Sequence, residues 1–370
     1  MKLNYQEELN DLKPHLNLIE ISEGNSRVMI APELQGRVLT SCLNPFHEGF
    51  GWVNHNLIQS KKSQAHINAF GGEDRIWIGP EAGQFGLFFK PGDDFSFENW
   101  QTPACIDSES FEVAWSKPNA VLLRKKCALT NYQDFDFEIE IERQIAVEDP
   151  AVLNQKLGHT KAKHLTYSST NRLTNASKTV WNKSTGLMNI WILGKFKPAP
   201  NCWAIIPQQT NYPVNQNYFH AHLEHRLFIQ NSTVALKVDG TLRSKIGISP
   251  KQDKNVLGSF DFDSNRLTIV TYETDKSEVF LNSEWEFQDQ PYQGDVLNVY
   301  NDGPNPDGSI LGPYYELETS SSSKELKPKE AIYHKHMTSH FEGSFHDLNQ
   351  VAKTLLHTDL NDVKKMIDAK

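Results

Sequence analysis

The chain has 370 residues, a formal net charge of −9, 38% hydrophobic and 22% charged residues, which is enough apolar side chain for a packed core and argues against global disorder. An acidic chain with no basic run lacks the clustered Lys and Arg that phosphate neutralisation needs, which argues against nucleic acid and polybasic membrane contacts as partners. No apolar run reaches the length of a membrane span, and the opening Met1-Lys2-Leu3-Asn4-Tyr5-Gln6-Glu7-Glu8 has no signal core, so the expected location is the cytoplasm, or the periplasm if a signal has been removed.

Residues 5–18 space their apolar side chains as a helix does and include Pro14, which predicts a short leading helix. From Ile19 onward short β-like runs alternate with turn residues. Residues 135–142 (Phe-Asp-Phe-Glu-Ile-Glu-Ile-Glu) alternate strictly, the signature of a strand with one wet face. Residues 234–238 run into Asp239-Gly240, read as a hairpin turn, with Arg243 and Lys245 on a solvated edge beyond it. Residues 267–272 predict a more buried strand, and residues 332–338 alternate again. Residues 301–308 and the serine run 319–323 read as polar loops. At the end Asp347 is expected to cap a helix over 348–357, with Asp359 or Asn361 opening another over 363–369. Cys42, Cys105, Cys127 and Cys202 are far apart and form no CxxC pair, so they are expected as buried reduced thiols. No repeat and no internal boundary is visible; one domain over residues 1–370 is expected, with a core over about 19–343 and a helical tail over 344–370.

Three segments resemble the galactose mutarotase-like superfamily, specifically an uncharacterised bacterial branch of it. Val28-Met29-Ile30-Ala31-Pro32-Glu33-Leu34-Gln35-Gly36-Arg37-Val38 looks like its opening strand and glycine turn. The segment from His66 through Asn68, Gly71-Gly72, Arg75 and Trp77 to Glu81 looks like its early Gly-Gly site. Tyr315-Glu316-Leu317-Glu318-Thr319, then Leu326-Lys327-Pro328 and His334, looks like its late acidic strand, loop and closing strand. The resemblance implies an all-β, antiparallel β supersandwich with short N- and C-terminal helices and a concave sugar-binding sheet. It also implies an aldose epimerase-like isomerase that interconverts sugar anomers by general acid–base catalysis, with no metal or organic cofactor.

By that resemblance Glu318 matches the catalytic base, with Glu316 two positions earlier on the same face of a regular strand. Two such carboxylates repel, which raises one pKa and suits a base. A glycosidase would need its carboxyls about 5–9.5 Å apart and flanking the bond, so hydrolysis or lyase action ranks below mutarotation. The family's Asn-His-x-Tyr-Phe acid motif is missing. His164 has the wrong spacing, His220, His222 and His225 read as a loop, and His334 is the remaining acid candidate. His334, His336 and His340 share one face of a continuous strand, where a His-x-His pair could hold zinc; with no carboxylate or Cys partner in the motif, no metal is expected. The substrate-binding candidates are His66, Asn68, Arg75, Trp77, Glu81, Asn301, Glu316 and His336. The Gly71-Gly72 pair would let the backbone turn tightly beside a ligand. The expected partner is a mono- or oligosaccharide. A lack of clustered Lys and Arg disfavours a sugar phosphate. The alternative to an enzyme is a carbohydrate-binding protein that kept the fold and lost the acid.

Overall fold

The described residues form eighteen strands, some with alternating burial and others buried throughout. The computed structural model describes residues 3–158, 160–208, 213–219, 221–230, 232–251, 253–305 and 308–369; His220, and residues 306 and 307 of the expected 301–308 loop, lie outside them. The strands are β1 (Ile19–Glu23), β2 (Ser26–Ala31), β3 (Arg37–Cys42), β4 (Arg75–Gly79), β5 (Glu112–Lys117), β6 (Ala120–Thr130), β7 (Asp136–Val147), β8 (Lys163–Asn175) and β9 (Asn189–Phe196) in the first half. The second half holds β10 (Cys202–Pro207), β11 (Leu227–Gln230), β12 (Thr233–Lys237), β13 (Ser244–Ile248), β14 (Val256–Asp261), β15 (Arg266–Glu273), β16 (Leu297–Asn301), β17 (Tyr315–Ser320) and β18 (Ala331–Glu342).

They form three sheets: β1-β2-β3, a ten-stranded sheet in the order β11-β12-β10-β14-β15-β18-β8-β7-β6-β5, and a five-stranded sheet in the order β13-β16-β17-β9-β4. Every ladder between these strands is antiparallel. The two large sheets bury a shared core. Ile76, Ile190 and Ile192 of the smaller sheet pack with Leu123, Ile141 and Leu173 of the larger, and Val299 and Leu317 pack with Leu236, Leu257 and Val270. The chain therefore forms the antiparallel supersandwich that its sequence predicts. β7 shows why it was legible: buried and outward residues alternate along its length, so one face meets the core and the other meets water.

The leading helix α1 (Tyr5–Leu12) ends before Pro14 and lays Tyr5, Leu9 and Leu12 on Met29 and Leu39 of the small sheet. Helices α2 (His55–Ser60) and α3 (Pro150–Leu157) sit in connections. Over β10, β14 and β15 the ten-stranded sheet hides its outer face under α4 (Phe345–Val351) and α5 (Leu360–Asp368), where Leu348, Val351 and Leu360 meet Ile205, Phe260 and Ile269. The cap of α4 is Ser344, whose side chain accepts from the Asp347 amide, and Asp347 lies one turn in; Ser344 is the better cap because its hydroxyl also donates to Asp347 at 2.6 Å. Asp359 caps α5 as expected.

Two loop readings change. Asp239-Gly240 does not close a hairpin, because β12 belongs to the larger sheet and β13 to the smaller. The turn carries the chain between layers and is pinned by Arg226 on Asp239 and by the Gly240 amide donating to Asn301 Oδ1 at 2.9 Å. The serine run is buried stitching: Ser321 Oγ accepts from the Ile190 amide at 2.9 Å, and Ser323 Oγ donates to the Met188 carbonyl at 2.6 Å.

Candidate functional site

Register fixes which side chains share the outward face of the five-stranded sheet. Gly247, Asn298, Glu318, Leu193 and Arg75 stand opposite one another across the five strands. One step along, Lys245, Tyr300, Glu316 and Lys195 form a second row, and on the other side Ser320, Trp191 and Trp77 form a third. Directly paired residues and residues two apart point the same way, so all of these lie on the face of the sheet opposite to Ile76, Ile190 and Ile192.

Loops over this face complete adjoining cavities of about 410 Å³ and 60 Å³ that share Glu81, Phe219, Arg243, Lys245 and Trp285. Trp77, Trp100 and Trp191 wall the smaller one, with Trp77 edge-on to Trp191 at 5.6 Å. Trp100 stacks on Trp285 with centroids 5.7 Å apart. Aromatic faces beside charged groups suit a ring that presents both C–H and hydroxyl surface.

Arg75, Trp77, Glu81 and Glu316 all line the smaller cavity. Glu316 accepts from Arg75 Nη2 at 3.4 Å and lies 3.6 Å from Lys195 Nζ. Glu318 is fully buried one layer below the wall, under Lys245. Its Oε2 accepts from Lys245 Nζ at 2.9 Å and from Trp191 Nε1 at 3.0 Å, while its Oε1 has no partner. Burial pushes its carboxyl up to about 7; Lys245 pulls it back, and the charges of Glu316 and Glu81 push it further. Burial also raises Glu81, opposed by Lys245 and the indoles of Trp285 and Trp100. Asp295, raised by burial, accepts from Tyr218 and Asn215 at 2.8 Å each. Gly247 makes room for it: a Cβ there would stand 1.8 Å from Asp295 Oδ2.

The remaining candidates lie elsewhere. His334 and His336 point inward from β18, behind the five-stranded sheet, where both bond Thr319 Oγ1, at 2.7 and 2.8 Å. Thr319 and Glu318 are consecutive on a strand, so their side chains leave opposite faces, and the sheet separates His334 from Glu318. Burial lowers His334 to about 3 and His336 to about 4, which keeps both neutral. His340 is taken up by Glu73 at 2.9 Å and Thr268 at 3.0 Å. Asn68 gives its amide and its Nδ2 to Asp107, at 2.9 and 2.7 Å, and holds a loop. Asn301 secures the interlayer turn through Gly240 and the Leu242 carbonyl. His66 bonds the Trp100 carbonyl at 2.7 Å and packs on Phe97, so it supports the aromatic wall from behind. Gly71 and Gly72 are demanded by the protein's own backbone: a Cβ on Gly71 would lie 2.1 Å from the Trp52 carbonyl oxygen. Among the described residues no three His, Cys, Asp or Glu side chains cluster to hold a metal.

Lys195, Arg243 and Lys245 escape a sequence reading that takes Arg243 and Lys245 for a solvated edge. The signal was there: each lysine stands in an otherwise buried strand, Asn189–Phe196 or Ser244–Ile248, and a lysine is rarely buried without a partner.

The profile of a family described as "Family of unknown function (DUF6786)" matches residues 3–367. No curated protein matches the chain in sequence. Solved structures share the fold. The Slr1438 protein from Synechocystis sp. PCC 6803 is 12% identical with a TM-score of 0.53, over 88% of this chain and 96% of that one. A candidate aldose 1-epimerase from Escherichia coli K12 is 8% identical with a TM-score of 0.52, over 89% and 99%. A galactose mutarotase-like protein from Lactobacillus casei ATCC 334 is 10% identical with a TM-score of 0.45, over 88% and 100%. At these identities the likeness is one of fold, and the fold is the galactose mutarotase-like supersandwich. Among the described residues no helix is long and apolar enough to cross a membrane.

Proposed function

The chain belongs to the DUF6786 family of unknown function, and on that premise we propose that it binds a sugar over the five-stranded sheet and interconverts the sugar's anomers by proton transfer. The observation that carries this reading is Glu318: a buried carboxylate beside a tryptophan-walled cavity, with a pKa near neutrality and one oxygen without a partner. A buried acceptor left unpaired costs about 1–3 kcal/mol, and a sugar hydroxyl donating to Oε1 relieves that cost.

In the reaction Glu318 takes the proton of the anomeric hydroxyl. The bond between C1 and the ring oxygen breaks as the ring oxygen takes a proton, leaving an open aldehyde and a free hydroxyl. Reclosure on the other face returns both protons. The acid in this reading is Glu81, which lines both cavities and whose pKa burial raises. The test is NMR or polarimetric anomerisation of a panel of aldoses. Acceleration by the wild type that is lost in Glu318→Gln supports the reading; a wild type that accelerates none of them removes it.

A second reading, binding without turnover, is favoured by one observation. Among the described residues no histidine lines these cavities. Calorimetric binding of a sugar that the protein does not anomerise would select it.

A further inference from the structure

The smaller cavity is cationic in a way that its own carboxylates do not balance. Arg75, Lys195, Arg243 and Lys245 all line it, against Glu81 and Glu316. Arg75 and Lys195 share the single carboxylate of Glu316, and Lys245 is engaged by Glu318 beneath the wall. Arg243 has no carboxylate within ion-pair distance among the described residues; it donates to Asn305 Oδ1 at 2.7 Å. Four buried donor atoms on these side chains have no hydrogen-bond partner: Arg75 Nε, Arg75 Nη1, Lys195 Nζ and Arg243 Nε. Arg75 and Lys195 are 1% and 0% exposed, so water does not compensate them.

Each cation does lie over an aromatic face. The distances are 4.1 Å for Arg75 on Trp77, 3.9 Å for Lys195 on Tyr314, 4.3 Å for Arg243 on Phe219 and 4.5 Å for Lys245 on Trp191. Such a contact is worth less than the cost of desolvating a charge. The rings therefore offset only part of the cost, and unpartnered donors converging on one space are what an anion-binding site looks like before its anion arrives.

We infer that the sugar carries a carboxylate, as a hexuronate does, and that this group docks among Arg75, Lys195 and Arg243 while the ring occupies the adjoining larger cavity. This rests on the sugar-binding reading above. It also corrects the expectation that the surface lacks a Lys/Arg cluster: the cluster is assembled from β4, β9, β13 and the residue before β13, so no stretch of sequence displays it. A carboxylate, the smaller group, is preferred to a phosphate because the cationic space is small, about 60 Å³. Lys195 fits the role: burial, with Arg75 beside it, lowers it to about 7, and an arriving anion would draw a proton back onto it.

The experiment is calorimetry of the wild-type protein with glucuronate and galacturonate, the parent hexoses and the hexose 6-phosphates. The expected result is hexuronate binding at least about tenfold tighter than the parent hexose, the usual worth of one charge-assisted hydrogen bond. Binding near pH 8 should also take up protons, read from titrations in buffers of different ionisation enthalpy. Lys195→Met and Arg243→Leu should each erase most of the preference, and Lys195→Met should abolish the proton uptake, with an unchanged circular dichroism spectrum and cooperative unfolding as the check on folding. Hexoses binding as tightly as hexuronates would overturn the inference and leave the sugar reading standing. Tighter binding of the 6-phosphates would overturn the carboxylate. Binding of no sugar of any class would remove the sugar reading itself.

Discussion

Lys245 Nζ donates to Glu318 Oε2 at 2.9 Å although their strands, β13 and β17, are separated by β16. The pair joins a wall residue to a carboxylate hidden behind it, so the charge of Lys245 governs when Glu318 can act as a base. With its pKa near 7, wild-type activity should rise with pH through neutrality as Glu318 loses its proton. Lys245→Met removes the charge that favours the carboxylate, so the folded pKa rises and the activity limb moves to higher pH, by about one unit or more. The pH–rate profile of the two proteins checks it; coincident profiles would mean that Glu318 is not the group that limits the rate.

Glu318→Gln keeps an oxygen for Trp191 and Lys245 and removes the negative charge. Anomerisation should fall about 10²–10⁴-fold, the usual contribution of a positioned proton acceptor, with sugar affinity changed little. If the variant matches the wild type in rate, Glu316, which faces the cavity directly, becomes the candidate.

Much of this arrangement was legible in the sequence. Strict alternation in β7 and the Glu-x-Glu spacing of β17 are local facts, and they led to the sheet and to the two carboxylates on one face. What the sequence hid is which layer a face belongs to. His334 and His336 do share a face, but periodicity does not say that it is the inner one, against Thr319. Arg243 and Lys245 follow a glycine turn that resembles a hairpin yet changes sheets, so the partner of Lys245, Glu318, lies 73 residues away. Long-range pairing of this kind leaves no periodic mark, only the oddity of a lysine in a buried strand.

Arg143 and Asp74 form an ion pair with both side chains fully buried, 2.5 Å apart. Arg143 also donates to the Gly36 carbonyl at 3.0 Å and to Asn171 Oδ1 at 2.8 Å, joining β7 and β8 to the chain just before β3 and β4. Arg143→Met leaves Asp74 buried and uncompensated, and should destabilise the fold by about 3–5 kcal/mol. Urea unfolding measures it; a loss below about 1 kcal/mol would show that Asp74 finds another partner or takes up a proton.

The buried histidines give stability a pH dependence of known sign. Their folded pKa values, about 3 for His334 and about 4 for His336, lie below the ordinary 6.5. As pH falls below 6.5 the unfolded chain binds protons that the folded chain refuses, so the stability they contribute is full above that value and drains away toward pH 4. At about 1.4 kcal/mol per pH unit for each group, going from pH 6.5 to 5 should cost up to about 4 kcal/mol for the pair. Glu318 works in the opposite direction. Its folded pKa is raised from 4.5 to about 7, so its contribution is full at low pH and is lost as pH rises through 7. The total therefore mixes both signs, and the clean measurement is a difference. The unfolding free energy of wild type and of the double variant His334→Gln, His336→Gln is followed by urea titration from pH 7 to 5. The wild type should lose stability on acidification relative to the variant, by up to that amount, whatever the variant's absolute stability. Parallel curves would mean that the imidazoles can accept protons in the folded state, and that the dry contact of both rings with Thr319 does not persist in solution.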